Sequence, residues 1–181
     1  MSNYINPTPI PQGDIFEATR QFVLTYALPA LEPAHVFQGW RNRVSLPAKT
    51  NEYAVISILY NVTHGTATEI YDPEEEKLNL ASLAEIVVQV DFCSDGDNAR
   101  QRAGLLAMVA RTSVGVLFMN QFGLSILYAD DARDLSFVGD ANQFVRRYMT
   151  SLHLVGNTGL TVDLPGAMAA EVTKIYPIRR M

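Results

Sequence analysis

From Leu78 to Phe92 the even positions read Leu78, Leu80, Ser82, Ala84, Ile86, Val88, Val90 and Phe92, with Ser82 the only polar member. Side chains alternate faces along a strand, so this set makes one apolar stripe while Glu85, Gln89 and Asp91 point the other way. The run continues to Cys93 and breaks at Ser94-Asp95-Gly96-Asp97. At roughly 15 residues it is far longer than the usual five or six, and it is expected to project beyond its own sheet. A projecting arm with an apolar face needs a partner. Upstream, Tyr53 to Val62 is dense in β-formers and apolar on both faces, which predicts a central strand that Thr66, Thr68 and Ile70 extend. Asp72-Pro73 is a turn signal, and Glu74-Glu75-Glu76-Lys77 makes a charged tip. Tyr53–Cys93 therefore reads as one long β-hairpin.

The first dozen residues carry Pro7, Pro9 and Pro11 and read as an extended arm, with one domain over residues 13–181. Asp14 is placed to cap a helix running to about Leu28, with Ile15, Phe16, Phe22, Val23 and Tyr26 on its buried side. Pro29 and Pro33 stop it, and a polar strand-like piece, Val36 to Arg43, leads to Leu46-Pro47. A second helix, about Asp97 to Thr112, sets Ala99, Ala103, Leu106 and Ala110 near one face, with Leu105 and Val109 beside them. Val116 to Met119, then Phe122, Leu124, Ile126 and Tyr128, predict a strand closed by Asp130-Asp131. Gln143 to Val155 alternates as another strand, and Gly156-Asn157 is a turn signal. Leu160–Leu164 and Val172–Ile178 complete a β-rich C-terminal half. The fold class predicted is α+β, a single mostly antiparallel sheet with a long hairpin, flanked by two main helices.

Composition narrows the function. A chain of 181 residues with 48% hydrophobic and 18% charged residues is long enough for one domain with a real core. No apolar run approaches the roughly 18 residues of a membrane span, and the N-terminus lacks the pattern of a signal peptide, so synthesis in the cytoplasm without membrane contact is expected. The single cysteine, Cys93, excludes an internal disulfide and a multi-cysteine zinc site. With a net charge of −5 and a pI near 5.1, a broad electrostatic grip on nucleic acid is not expected. The arginines come in separated pairs, Arg41/Arg43, Arg100/Arg102, Arg146/Arg147 and Arg179/Arg180, with no basic stripe between aromatics.

Candidate chemistry is sparse. Cys93 at a strand end near a helix N-terminus, with His64 or His153 as base, is the one conceivable nucleophile, but no local signature accompanies it. Asp91, Asp95, Asp97 and Asn98 offer oxygen ligands without calcium-loop spacing, and Ser94, Asp95 or Asp97 is better read as a helix cap. His35, His64 and His153 lie far apart in the sequence, and solvated or hydrogen-bonded histidines are the default. No phosphate-binding, dinucleotide-binding or serine-hydrolase motif occurs, so neither a cofactor nor a metal is expected. Trp40 beside Gly39 reads either as a core or edge aromatic or as an interface anchor. Glu74, Glu75 and Glu76 read as a solvated tip or as a charge-complementary contact with a neighbour.

The order of these landmarks resembles the tail-terminator, or neck-terminator, family of tailed bacteriophages. The resemblance rests on Phe37-Gln38-Gly39-Trp40-Arg41-Asn42 followed by Leu46-Pro47, and on Val88-Gln89-Val90-Asp91-Phe92 followed by the Ala-rich helix. The Gly123-Leu124 to Tyr128 segment and the segment containing Arg147 continue it, so it covers most of the chain from Gly13. Family members usually carry a glycine soon after the Asp-Phe pair; here Cys93, Ser94 and Asp95 come before Gly96, which implies a different local turn. The resemblance implies a virion protein without enzymatic activity. Its copies assemble as a ring, typically a hexamer, on the last ring of tail-tube protein, stop tube growth and receive the neck or head-completion protein. DNA passes through the lumen without specific binding. The hairpin pattern itself points to Tyr71, Glu74, Glu75, Glu76, Lys77, Leu78 and Leu80, with Trp40, as the subunit interface. Two alternatives stand beside this reading: another phage part, such as a tail-tube subunit or head–tail connector, and a small enzyme using Cys93.

Overall fold

A computed structural model describes residues 12–29, 33–40, 52–72, 77–94, 96–138 and 144–163. Helix α1 (Gln12–Tyr26) is followed by a 3-10 turn (Pro33–His35), the short strand β1 (Val36–Gln38), and two long strands, β2 (Tyr53–Asp72) and β3 (Lys77–Ser94). Helices α2 (Asn98–Ala110) and α3 (Ser113–Asn120) come next, then β4 (Leu124–Ala129) and the short strands β5 (Arg133–Asp134) and β6 (Phe137–Val138). The last described element is β7 (Phe144–Asp163). The main sheet runs β1-β2-β3-β7-β4, with β5 and β6 also pairing to β7. Only the β1–β2 pairing is parallel. The fold is α+β, as the hydrophobic pattern predicts.

Alternation decides which side of the sheet is covered. Ala84, Ile86, Val88, Val90 and Phe92 are buried, and in register beside them lie Ala54 and Ile56 of β2 and Leu152 and Leu154 of β7. The three helices bring Ile15, Phe22 and Val23 of α1, Ala99, Ala103 and Leu106 of α2, and Met119 of α3 into the same core. Phe118 joins Phe22 and Tyr26 in a cluster with ring centroids 5.5 Å from each. The alanines of α2 let that helix sit close to the strands.

Several elements depart from the sequence reading, each for a physical reason. Residues Val116–Met119 are helical in α3, not extended, so three helices flank the sheet rather than two. Local β-propensity there loses to packing: Met119 enters the core, and Gly115 lies so close to the end of α2 that a Cβ would come within 2.6 Å of the Val109 carbonyl oxygen. Gly156-Asn157 is not a turn. Strand β7 runs straight through it, Gly156 pairing with both Ala84 and Leu124 and Asn157 with Leu83. A turn signal has effect only where the chain must reverse, and here two neighbouring strands hold it extended. Leu160–Asp163 therefore belongs to β7 and is no separate strand.

Strand β2 is not central, because β1 covers it only from Ala54 to Ile56; the inner strands are β3 and β7. Asp14 lies in the first turn of α1, which starts at Gln12, rather than capping it. Of Val36–Arg43, residues 36–38 form β1 and Gly39-Trp40 a turn, while 41–43 lie outside the described residues, as do Pro7–Pro11, Leu46-Pro47, Glu74–Glu76 and Val172–Ile178.

Val88 lies at the centre of this sheet and is fully buried. Val88→Asp should cost about 4 kcal/mol of unfolding free energy, because the carboxylate would have no partner there. Val162→Asp, near the outer end of β7, should cost about 1 kcal/mol or less. Urea denaturation of both variants checks the contrast; equal losses would mean that the outer strands are as well covered as the inner ones.

Candidate functional site

The packed core ends at Ile58, Ile86 and Leu154. Beyond it β2, β3 and β7 run on together to Asp72, Lys77 and Asp163, in unbroken register between β3 and β7. At about 3.3 Å per residue, the stretch from Ile86 to Lys77 extends about 30 Å. The projecting element is thus a three-stranded arm rather than a hairpin. Its third strand escapes a sequence reading that stops at Gly156-Asn157. The period-two recurrence of Leu152, Leu154, Leu160 and Val162 is the signal that reveals it.

The stripe that packs under the helices continues onto this arm. Tyr71, Leu78 and Val162 lie side by side in one cross-strand row, with Tyr71 38% exposed and Leu78 half-buried. Leu80 is likewise half-buried, between Glu69 and Leu160 in the register. The alternate row, Ile70–Asn79–Thr161, is polar at two of its three positions, and the Thr161 hydroxyl donates to Asn79 Oδ1 at 2.8 Å. Of the residues expected at the interface, Tyr71, Lys77, Leu78 and Leu80 are brought together at the outer end of the arm. Glu74, Glu75 and Glu76 lie outside the described residues. Trp40 is not with them; it stands by the opposite end of β2.

The arm narrows at its root. Between His64 and Thr68 the β2 register slips against Leu83 and Ala81, and Gly65 takes φ +74°, in the left-handed region that suits glycine. Just below, Glu85 is held from two strands. His153 Nδ1 approaches its Oε1 at 2.8 Å and His64 Nε2 its Oε2 at 3.1 Å. A carboxylate only accepts, so both ring nitrogens carry protons. Tyr128 stacks on His153 with centroids 3.9 Å apart. Sequence distance hides this cluster, since its three members are contributed by β2, β3 and β7. Hydrogen bonds from His153 and then His64 hold the Glu85 carboxyl below its ordinary value.

A second feature lies at the base of the sheet. A groove of about 300 Å3 has Trp40, Leu59 and Phe137 on its walls and Ser57, Gln89, Asp91, Cys93 and Arg147 among its lining residues. Trp40 is 88% exposed and adopts φ +62°, an uncommon conformation for a large side chain. Gly39 imposes this by lying tight on β2: its N–H donates to Ile56 O at 2.7 Å, and a Cβ would come within 2.1 Å of Ser57 Oγ. The core reading of Trp40 is therefore set aside, and the residue stands beside the edge strand β1. Asp91, on a side chain only 4% exposed, accepts from Arg147 Nε at 3.0 Å and from Gln89 at 2.8 Å. The bond to Asp91 in turn holds the Arg147 guanidinium more firmly protonated.

Catalysis at Cys93 has no support in this geometry. The thiol is buried, and burial pushes its pKa upward against the smaller pull of a hydrogen bond from Tyr53. A reactive cysteine needs the opposite shift. Nor do Asp91 and Asp97 converge on a cation: Asp91 pairs with Arg147 and Asp97 with Arg146. No group of three or more His, Cys, Asp or Glu among the described residues is arranged to hold a metal ion. Asp97 occupies the N-cap position of α2 without a side-chain hydrogen bond, and it is the Ser94 hydroxyl oxygen that accepts from the Ala99 N–H, at 3.1 Å. No single helix among the described residues is long and apolar enough to cross a membrane.

The chain matches the phage neck terminator protein family over residues 13–177, and it belongs to that family. Its role is structural, in the tail and neck region of a phage virion. No curated protein matches the chain.

Two outcomes follow from these side chains. Because the folded Glu85 value is depressed, its contribution is complete above the ordinary carboxylate range and fades as pH falls through the folded value. Glu85→Gln should therefore lower Tm at pH 7, with the gap from wild type closing on acidification below about pH 4. Calorimetry across pH tests this, and a pH-independent gap would refute it. Arg147→Ala should cost about 2–3 kcal/mol by stranding buried Asp91, and adding Asp91→Asn should recover part of the loss in a double-mutant cycle.

Proposed function

We propose that this protein caps the tail tube as a ring, a hexamer of identical subunits. One face of the ring docks on the last ring of tube protein and the other presents a different surface, so that tube polymerisation ends there. That outward surface receives the neck or head-completion protein. DNA passes through the lumen without specific binding; a net charge of −5 offers phosphate little to hold it. No reaction is involved.

One observation carries this reading: the row Tyr71–Leu78–Val162 continues the core stripe about 30 Å past the last residue that the helices cover. Half-exposed apolar side chains on a thin, three-stranded arm gain free energy only by meeting another molecule. A subunit that meets the next one through unlike surfaces closes into a ring when the rotation per contact divides a full turn. Membership in the phage neck terminator family supports the same reading.

Negative-stain microscopy of the purified protein should show single short rings. Stacked tubes would overturn the terminator reading in favour of a tube subunit. Leu78→Asp should leave a folded protein by circular dichroism that elutes as a monomer. Intact rings of that variant would remove the arm from the subunit contact.

A further inference from the structure

The two exposed features of this domain lie at opposite ends of one strand. Tyr71 is next to last in β2, whereas the groove takes Tyr53, Val55, Ser57 and Leu59 from its beginning. The 12 residues from Leu59 to Tyr71 correspond to about 40 Å of extended chain, so an arm cannot reach the groove of its own copy. Each feature must find its complement elsewhere.

Charge decides between two ways of pairing copies. The arm, residues 61–83 and 156–163, carries six carboxylates (Glu69, Asp72, Glu74, Glu75, Glu76 and Asp163) and one cation, Lys77, a net charge of −5. Two arms laid against each other would bring −5 onto −5 within a Debye length of about 8 Å. An arm laid on the groove meets no such repulsion, because the charged residues among its lining, Asp91 and Arg147, pair with each other. The charge distribution therefore disfavours a two-fold, arm-to-arm contact and favours a directional one.

The groove has the matching chemistry. Trp40, Leu59 and Phe137 are large, exposed and apolar at its walls, and the Asp91–Arg147 pair with Gln89 supplies polar groups among its lining. An aromatic ring with a polar end fits such a place, and Tyr71 is the exposed tyrosine at the end of the arm. The left-handed backbone of Trp40 adds a second indication. A strained conformation that holds an indole in solvent is retained where the indole has a contact to make.

Building on the ring reading above, we infer that the Trp40–Phe137 groove is the acceptor for the arm of the next subunit, entered by Tyr71. The contact is heterologous: arm end to body base, repeated around the ring. Trp40 thus belongs to the subunit interface together with Tyr71, but on the opposite side of it.

Cross-linking tests the pairing directly. Trp40→Cys and Tyr71→Cys are made separately, one carrying a size tag, and a short flexible bismaleimide is added to each alone and to their mixture. Both positions are exposed, and the buried native Cys93 contributes little background. The mixture should give dimers containing one chain of each kind, while each variant alone gives few. A Phe137→Cys variant mixed with Tyr71→Cys should behave as Trp40→Cys does. Dimers formed by Tyr71→Cys alone would overturn the inference by showing arm against arm. Failure of both mixtures to cross-link would overturn it too. If wild-type rings are then present in the microscope, the acceptor is wrong and the ring reading survives; if no rings form, the ring reading has failed as well.

Discussion

The ladder between β3 and β7 is the constraint on which everything else depends. It runs in one register from Lys77–Asp163 to Ser94–Arg146 without a bulge, so one alternation governs the whole length. At the inner end that alternation places Ile86, Val88, Val90 and Phe92 under the helices. At the outer end it places Leu78 and Leu80 on the same face, where no buried core residue meets them. A slip of one residue would reverse both at once. Backbone hydrogen bonding therefore couples the two ends: the same pairing that makes the core also sets which side chains share the apolar face of the arm.

Strand β2 follows that ladder less strictly, and its irregularities fall where the arm leaves the body. It slips against β3 between Ile58 and Tyr60 and again between His64 and Thr68. Bulges bend and twist a strand and end its simple pairing. Between these slips Glu85 is held by histidines from both neighbouring strands. The clasp lies on the face of the sheet away from the core, because Glu85 alternates with the buried Ala84 and Ile86. The arm is thereby anchored by hydrogen bonds at its root.

The base of the sheet supplies the contrasting surface. Gly39 lies against Ser57, which forces Trp40 out of the sheet, and Asp91 with Arg147 gives the adjoining groove a polar element. The domain, a member of the phage neck terminator family, thus carries an apolar stripe on its arm at one end and an aromatic groove at the other. The absence of a low-pKa thiol among the described residues agrees with that role, the one cysteine being packed beneath Tyr53.

What the amino-acid order determined by itself was local and periodic. The alternation in Leu78–Phe92, the Ala-rich face of α2 and the Asp72-Pro73 break each act over a few residues, so the pairing of the two long strands, the α+β class and the shared apolar face of Leu78 and Leu80 were legible. Position relative to distant chain was not. Val116–Met119 has the composition of a strand, yet the core needs Met119 and the close approach at Gly115 needs a helix. Gly156-Asn157 has the composition of a turn, yet Ala84 and Leu124 hold it straight from either side. The clasp of His64 and His153 on Glu85, the Asp91–Arg147 pair and the exposure of Trp40 likewise depend on partners from 17 to 68 residues away. Hydrogen-bonded neighbours and packing volume, which no single segment carries within itself, decided those.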